Sequence, residues 1–177
     1  MRRFFLFIAA MILLSGCSEV YNTQPPGAAE NRSFRVVPFA NFTQTPMAGY
    51  RAASIAEGVL KSKVATVKGS LWDFEERDYT FEEIKKIIKD AKDSDYVVTG
   101  YVNEFRYKTG IDGEPAVSVT IKVYDTKEKR FIWRGVASKT GWSYESVGTI
   151  AQESIEELVS SMLYGTDKNK NRILSLF

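Results

Sequence analysis

From Tyr96 onward the apolar residues recur at every second position, and this change of period fixes most of what the chain can fold into. Three such runs follow one another, at residues 96–107, 116–125 and 130–139. Turn-forming stretches separate them, at residues 110–113 (Gly-Ile-Asp-Gly) and 126–129 (Thr-Lys-Glu-Lys). In the middle run Val117, Val119, Ile121 and Val123 share one face, and Ser118, Thr120, Lys122 and Tyr124 share the other. The pattern predicts antiparallel strands with one covered and one wetter face, so helices must supply the cover.

Helical spacing provides three of them. Thr45 followed by Pro46 reads as a hydroxyl N-cap with proline in the first helical position. That helix runs to about residue 61 and buries Ala53, Ile55, Ala56, Val59 and Leu60. Thr80 and Glu83 form a capping box ahead of Phe81, Ile84, Ile87, Ile88 and Ala91. A last helix, about residues 146–164, sets Val147, Ile150, Ala151, Ile155, Leu158, Val159 and Met162 on one stripe and stops at Gly165. Residues 34–42 read as a first strand, shortened or held at an edge by Pro38, and residues 64–67 as a second. The expected order is β-α-β-α-β-β-β-α. It makes one α/β (α+β) domain over residues 34–165, a single mixed sheet of about five strands with three packed helices.

The two ends read differently. Met1-Arg2-Arg3 precedes an apolar run from Phe4 to Leu14 and then Ser15-Gly16-Cys17. A basic start, a short apolar stretch and small residues at the cut are the parts of a secretory signal, here residues 1–16. The run is too short to cross a bilayer, which takes about 20 apolar residues. Leu14-Ser15-Gly16-Cys17 looks like a bacterial lipobox, with Cys17 acylated and becoming the mature N-terminus. Several acyl chains hold a protein at a membrane far more firmly than one. Ser18 at the next position fits sorting to the outer membrane. Residues 17–33, with Pro25-Pro26-Gly27, read as a tether, and residues 166–177 as a basic and then apolar tail.

Composition removes several chemistries. With no histidine and one cysteine, histidine-based triads, zinc–histidine centres and internal disulfides are impossible. Neither a nucleophile elbow nor a phosphate loop is present, and no EF-hand-type calcium loop. No cofactor and no enzymatic activity are expected, although a distant pair of carboxylates stays open as a rival. All 22 acids follow Cys17, and so do 22 of the 24 lysines and arginines. The mature chain is therefore formally neutral and lacks the global field that attracts nucleic acid.

Two surface features stand out. Residues 73–95 hold nine acids against five bases. Either the acids are a solvated helix face favoured by the helix dipole, or Asp73, Glu75, Glu76 and Asp78 line a negative surface. The second feature is tryptophan in loops, Trp72 and Trp142. Tryptophan suits the headgroup region of a bilayer, and equally well the packing beside a helix.

Residues 37–52 read Val-Pro-Phe-Ala-Asn41-Phe-Thr43-Gln-Thr-Pro46-Met-Ala48-Gly49-Tyr-Arg51-Ala. This strand-to-helix motif resembles the start of the PelC family, outer-membrane lipoproteins of Pel exopolysaccharide export. The strand at residues 95–100 and the hairpin through Ile132-Trp-Arg-Gly135 fit the same resemblance. They also recur in a wider superfamily that includes the curli secretion channel and lipoprotein activators of penicillin-binding proteins. The resemblance implies a homo-oligomeric ring on the periplasmic side of the outer membrane. One face of it would approach lipid, and an acidic funnel would guide a cationic polysaccharide to a β-barrel exporter of the PelB kind. The rivals are a regulator of a peptidoglycan synthase and a curli-type secretion lipoprotein. A regulator needs a long reach, and about 15 tether residues extend at most about 54 Å.

Overall fold

The computed structural model describes residues 21–22, 32–63, 66–110 and 113–165. Residues 1–16, read as a signal sequence, Cys17 and the stretch 166–177, read as a tail, lie outside the described residues.

The expected class holds: a mixed sheet with three α-helices in the expected order. The strands are β1 (Tyr21–Asn22), β2 (Phe34–Val36), β3 (Ala40–Asn41), β4 (Tyr96–Tyr107), β5 (Pro115–Asp125) and β6 (Arg130–Thr140). The helices are α1 (Ala48–Lys63), α2 (Phe81–Asp90) and α3 (Val147–Tyr164). Across the sheet the order is β1-β6-β5-β4-β2, with β3 also beside β4. β2 and β3 pair with β4 in parallel and are two halves of one course, interrupted at Val37-Pro38-Phe39. The sheet therefore has five strand positions.

Two local details differ from the sequence reading. The second strand shrinks among the described residues to a bridge between Val67 and Phe34, closed by Phe34 N to Thr66 O and Lys68 N to Phe34 O. The fifth strand position is instead supplied at the opposite edge of the sheet by β1, from within the stretch read as a tether, which pairs antiparallel with β6 (Tyr21 opposite Val136, Asn22 opposite Gly135).

Packing follows from side-chain size. On one face of the sheet α3 lays Ile150, Ile155, Leu158, Val159 and Met162 over β5 and β6. Trp133, fully buried, fills the space beneath it. A Cβ on Gly135 would lie 2.4 Å from the Trp133 ring and 2.9 Å from Leu158, so only glycine fits there. α1 packs beside α3 and against β3 and β4, with Ala48, Gly49, Ala52, Ala53 and Ala56 buried, small residues that let the helix come close; at Gly49 it abuts Phe39 O. Ile55 and Val59, expected in the core, sit at its margin. α2 covers the other face over β4, with Phe81 against Tyr101 at 6.3 Å and Ile84 and Ile88 buried.

One helix starts at the capping box read from the sequence, and the last helix starts within a residue of its expected bound. The Thr80 hydroxyl accepts from Glu83 N, and Thr80 N donates to Glu83 Oε2 at 2.8 Å. Ser146 caps α3 by accepting from Thr149 N, and Gly165 ends that helix at φ 80°. Among the described residues no helix is long and apolar enough to cross a membrane.

Candidate functional site

The motif at residues 41–51 is a clamp between a strand and a helix. Asn41 at the end of β3 uses its whole amide: Nδ2 donates to Thr45 O (2.8 Å) and Asp78 Oδ1 (2.9 Å), and Oδ1 accepts from Thr43 N (2.9 Å) and Thr43 Oγ1 (2.8 Å). Thr45 does not cap α1. Its hydroxyl donates instead to Phe105 O on β4. The N–H at the mouth of the helix, that of Met47, is met by Asp78 Oδ2 at 3.2 Å, from a loop 31 residues away. A carboxylate suits that place because the amino end of a helix carries partial positive charge. Pro46 is exposed and Met47 adopts φ 57°, so the chain turns sharply before α1 begins at Ala48. Ala48 is fully buried, and a Cβ on Gly49 would stand 2.2 Å from Phe39 O. Arg51 is exposed on the first turn. These residues build the frame of the domain and leave little to offer a ligand.

The segment between Val67 and Tyr79 runs along the outer edge of β2 and β3, tied at both ends by bridges, Val67 to Phe34 and Tyr79 to Ala40. Its acids divide into two kinds. Asp73 closes a capping box on the turn Leu71–Asp73 by accepting from Ser70 N (3.1 Å), and lies 3.6 Å from Arg35. Asp78 is held by Asn41 and Met47 as described. Both are fastened by backbone N–H groups and serve the fold. Glu75 and Glu76 face solvent; the Glu75 carboxylate lies 3.2 Å from Arg77 with 84% of its side chain exposed. Glu76 lies near enough to Tyr50 to add to the rise in that phenol's pKa, which burial mainly causes.

Arg77 organises the turn into α2. It donates to Glu83 at 2.7 Å and stacks 4.0 Å from the centre of the Tyr79 ring. That hydrogen bond, together with those from Thr80, lowers the Glu83 carboxyl to about 2. Glu83 thus stays ionised and Arg77 is engaged, which leaves Glu75, Glu76 and the exposed Glu82 to define the outward charge.

Trp72 and Trp142 are not brought together. Trp72, 86% exposed, stands in the acidic segment beside β2. Trp142 follows β6, on the other side of β4 and β5, so the strands between them set a separation of at least about 14 Å. Trp142 is 55% exposed and has exposed aromatic company in Tyr144, two residues on, and Tyr107, whose hydroxyl accepts from Val147 N at 3.4 Å. Two hydrogen bonds close its loop: Trp142 N donates to Glu145 Oε2, and Glu145 N returns a bond to Trp142 O. Sequence reasoning missed Tyr107 and Tyr144, because their exposure depends on which strand end and loop they share.

The sheet face that α2 leaves uncovered over β5 and β6 carries an aromatic and cationic stripe. Lys122 lies between the rings of Tyr101 (5.3 Å) and Phe131 (5.4 Å), and Arg134 donates to the Tyr101 hydroxyl. Phe42 stacks on Phe81 at 5.6 Å at its margin. Among the described residues no group of acids and cysteines could hold a metal ion.

No family model and no curated protein matches the chain by sequence. Solved structures do. A PelC dodecamer from Paraburkholderia phytofirmans is 32% identical, covering 83% of this chain and 98% of its own, with a TM-score of 0.67. A single-substitution variant of that protein, also a dodecamer, gives 31% identity and the same TM-score. A lipoprotein from Neisseria meningitidis shares the fold at 16% identity and a TM-score of 0.53, covering 73% of this chain and 99% of its own.

Proposed function

The chain belongs to the PelC family, and from that premise we propose that it is a non-enzymatic outer-membrane lipoprotein of Pel-type exopolysaccharide export. The observation that carries this reading is the match to 98% of a PelC chain at 32% identity, with a TM-score of 0.67. That relative assembles as a dodecamer, and we assign this chain a ring of identical subunits built from head-to-tail contacts that close.

The anchor sets the orientation. β1 runs antiparallel to β6, so the chain preceding Tyr21 leaves in the direction of Thr140 and Trp142. Four steps separate Tyr21 from Cys17, a span of at most about 14 Å. An acylated Cys17 therefore brings lipid to the end of the domain that displays Trp142, Tyr144 and Tyr107. Half-wet aromatic rings suit the bilayer interface. The same clamping weighs against a regulator that must reach across the periplasm, because pairing at Tyr21 leaves only four residue steps between Cys17 and the sheet.

The negative surface reduces to the acids free of structural work. Glu75 and Glu76, with Glu82 nearby, would face the path of a cationic polymer. Exposed carboxylates each attract an amino sugar weakly in water. Repeated around a ring, they would concentrate the chain and orient it towards a β-barrel exporter without holding it. No covalent chemistry is required.

The test is Glu75→Gln with Glu76→Gln in cells that secrete the polymer. Secreted cationic polysaccharide should fall several-fold while the mass of the purified assembly stays unchanged. Full secretion would remove these carboxylates from the export path.

A further inference from the structure

The strongest feature that export leaves unused is a cavity of about 850 Å³ at the end of the sheet away from Trp142. It lies where β4 begins and β5 ends, against the last turn of α2. The 12 residues of β4 set it roughly 36–40 Å from the aromatic end. Its volume is that of a ligand site, which commonly falls between about 300 and 1,000 Å³.

Lys68, Lys89, Lys92, Lys127 and Lys129 stand around it, and the only acids among its lining residues are Asp93 and Asp95. Both acids are already neutralised. Arg35 donates to Asp93 at 2.7 Å. Asp95 lies 2.8 Å from Lys127 and accepts from Ser33 N and Ser33 Oγ, contacts that hold its carboxyl well below the usual range. Of the five lysines only Lys127 has an ion pair, so four ammonium groups face the cavity's mouth uncompensated among the described residues. The floor is apolar, from Ile88, Ala91 and the Tyr124 ring. In its wall Ser94, 5% exposed, has a buried hydroxyl with no hydrogen-bond partner among the described residues.

We propose that this groove binds an acidic, partly apolar peptide segment of another protein. Three features select that class over a compact phosphate or a bare polyanion. No arginine lines the groove, so the planar fork that grips one phosphate is missing, whereas separate ammonium groups match carboxylates spaced along a chain. The helix end that meets the cavity is the carboxyl end of α2, whose free carbonyls repel a small anion lodged against them. The apolar floor rewards side chains that a polyphosphate or sulfated glycan does not possess. The lysines would also repel a cationic polysaccharide, which separates this end from the export path. The proposal stands independently of the export reading.

The experiment measures fluorescence anisotropy of a labelled decapeptide of alternating glutamate and leucine, with the full-length lipoprotein in neutral detergent micelles. Saturable binding is expected. It should weaken at least tenfold in Lys89→Gln/Lys92→Gln/Lys129→Gln, and remain within twofold in the charge-matched control Lys85→Gln/Lys86→Gln/Lys122→Gln. Equal weakening in both triple variants would show a response to overall charge and overturn the site. Binding of deca-glutamate or polyphosphate as tight as that of the mixed peptide would assign a bare polyanion and overturn the peptide class. No binding of the mixed peptide at low salt would overturn the proposal outright.

Discussion

Replacing Asn41 by alanine tests whether the most recognisable motif in the chain is architecture or binding surface. The side chain makes four hydrogen bonds, two to backbone atoms of the turn, one to Thr43 Oγ1 and one to Asp78. A net contribution near 1 kcal/mol for each places the loss at about 3 kcal/mol, allowing for water that replaces the more exposed partners. Asn41→Ala also frees Asp78, which meets the Met47 N–H at the mouth of α1. The two losses should therefore overlap. Asn41→Ala, Asp78→Ala and the double variant form a cycle whose double loss falls short of the sum of the singles by about 1 kcal/mol. Urea unfolding followed by tryptophan fluorescence reads this directly: Trp133 is buried under α3 and reports the core. With a slope near 2 kcal/mol per molar urea, the midpoint of Asn41→Ala should move down by about 1.5 M. A shift below about 0.3 M with polysaccharide export abolished would refute the reasoning, and would make Asn41 a contact to polymer or partner.

Further predictions follow from single observations. Gly49→Ala forces a methyl group to within 2.2 Å of Phe39 O, so it should cost about 3 kcal/mol or more and lower the thermal midpoint; a neutral effect would mean that β3 and α1 can move apart. Glu83 is held down to about 2 from 4.5 in the fold, first by Arg77 and then by Thr80. A carboxyl lowered in this way stabilises the folded state above pH 4.5 and ceases to do so as the pH falls towards 2. The melting temperature should accordingly lose part of its acid dependence across that window in Glu83→Gln, and an unchanged profile would discount the pair. Trp142→Ala in the non-lipidated domain should reduce cosedimentation with phosphatidylethanolamine–phosphatidylglycerol vesicles several-fold without lowering stability, and Trp72→Ala should not. Equal sedimentation of Trp142→Ala and the parent would place that ring outside the lipid contact.

The parts of the fold legible in the sequence are those specified by neighbours along the chain. Alternation from Val117 to Val123 fixes which side of β5 is covered, and the Thr80–Glu83 box and Ser146 set two helix starts to within a residue. What escaped depends on atoms distant in sequence. Thr45-Pro46 has the local chemistry of a helix start, but the acceptor is Asp78 and the Thr45 hydroxyl goes to Phe105 O. Likewise the acids at 73–78 look alike in a charge count. They differ in which backbone N–H groups fall within reach, so Asp73 and Asp78 became fold elements while Glu75, paired with Arg77, and Glu76 stayed at the solvent surface. β1 escaped for another reason. Two residues have no measurable period, and the prolines that follow give the segment the composition of a linker.

The central claim is that the protein acts as an assembly that places acid and lipid at chosen surfaces. Light scattering coupled to size exclusion on the non-lipidated mature protein, over a hundredfold range of concentration, tests it most directly. A single discrete oligomer many times the protomer mass, persisting on dilution, is the result this account requires. A protein of protomer mass at every concentration, with or without detergent, would contradict it.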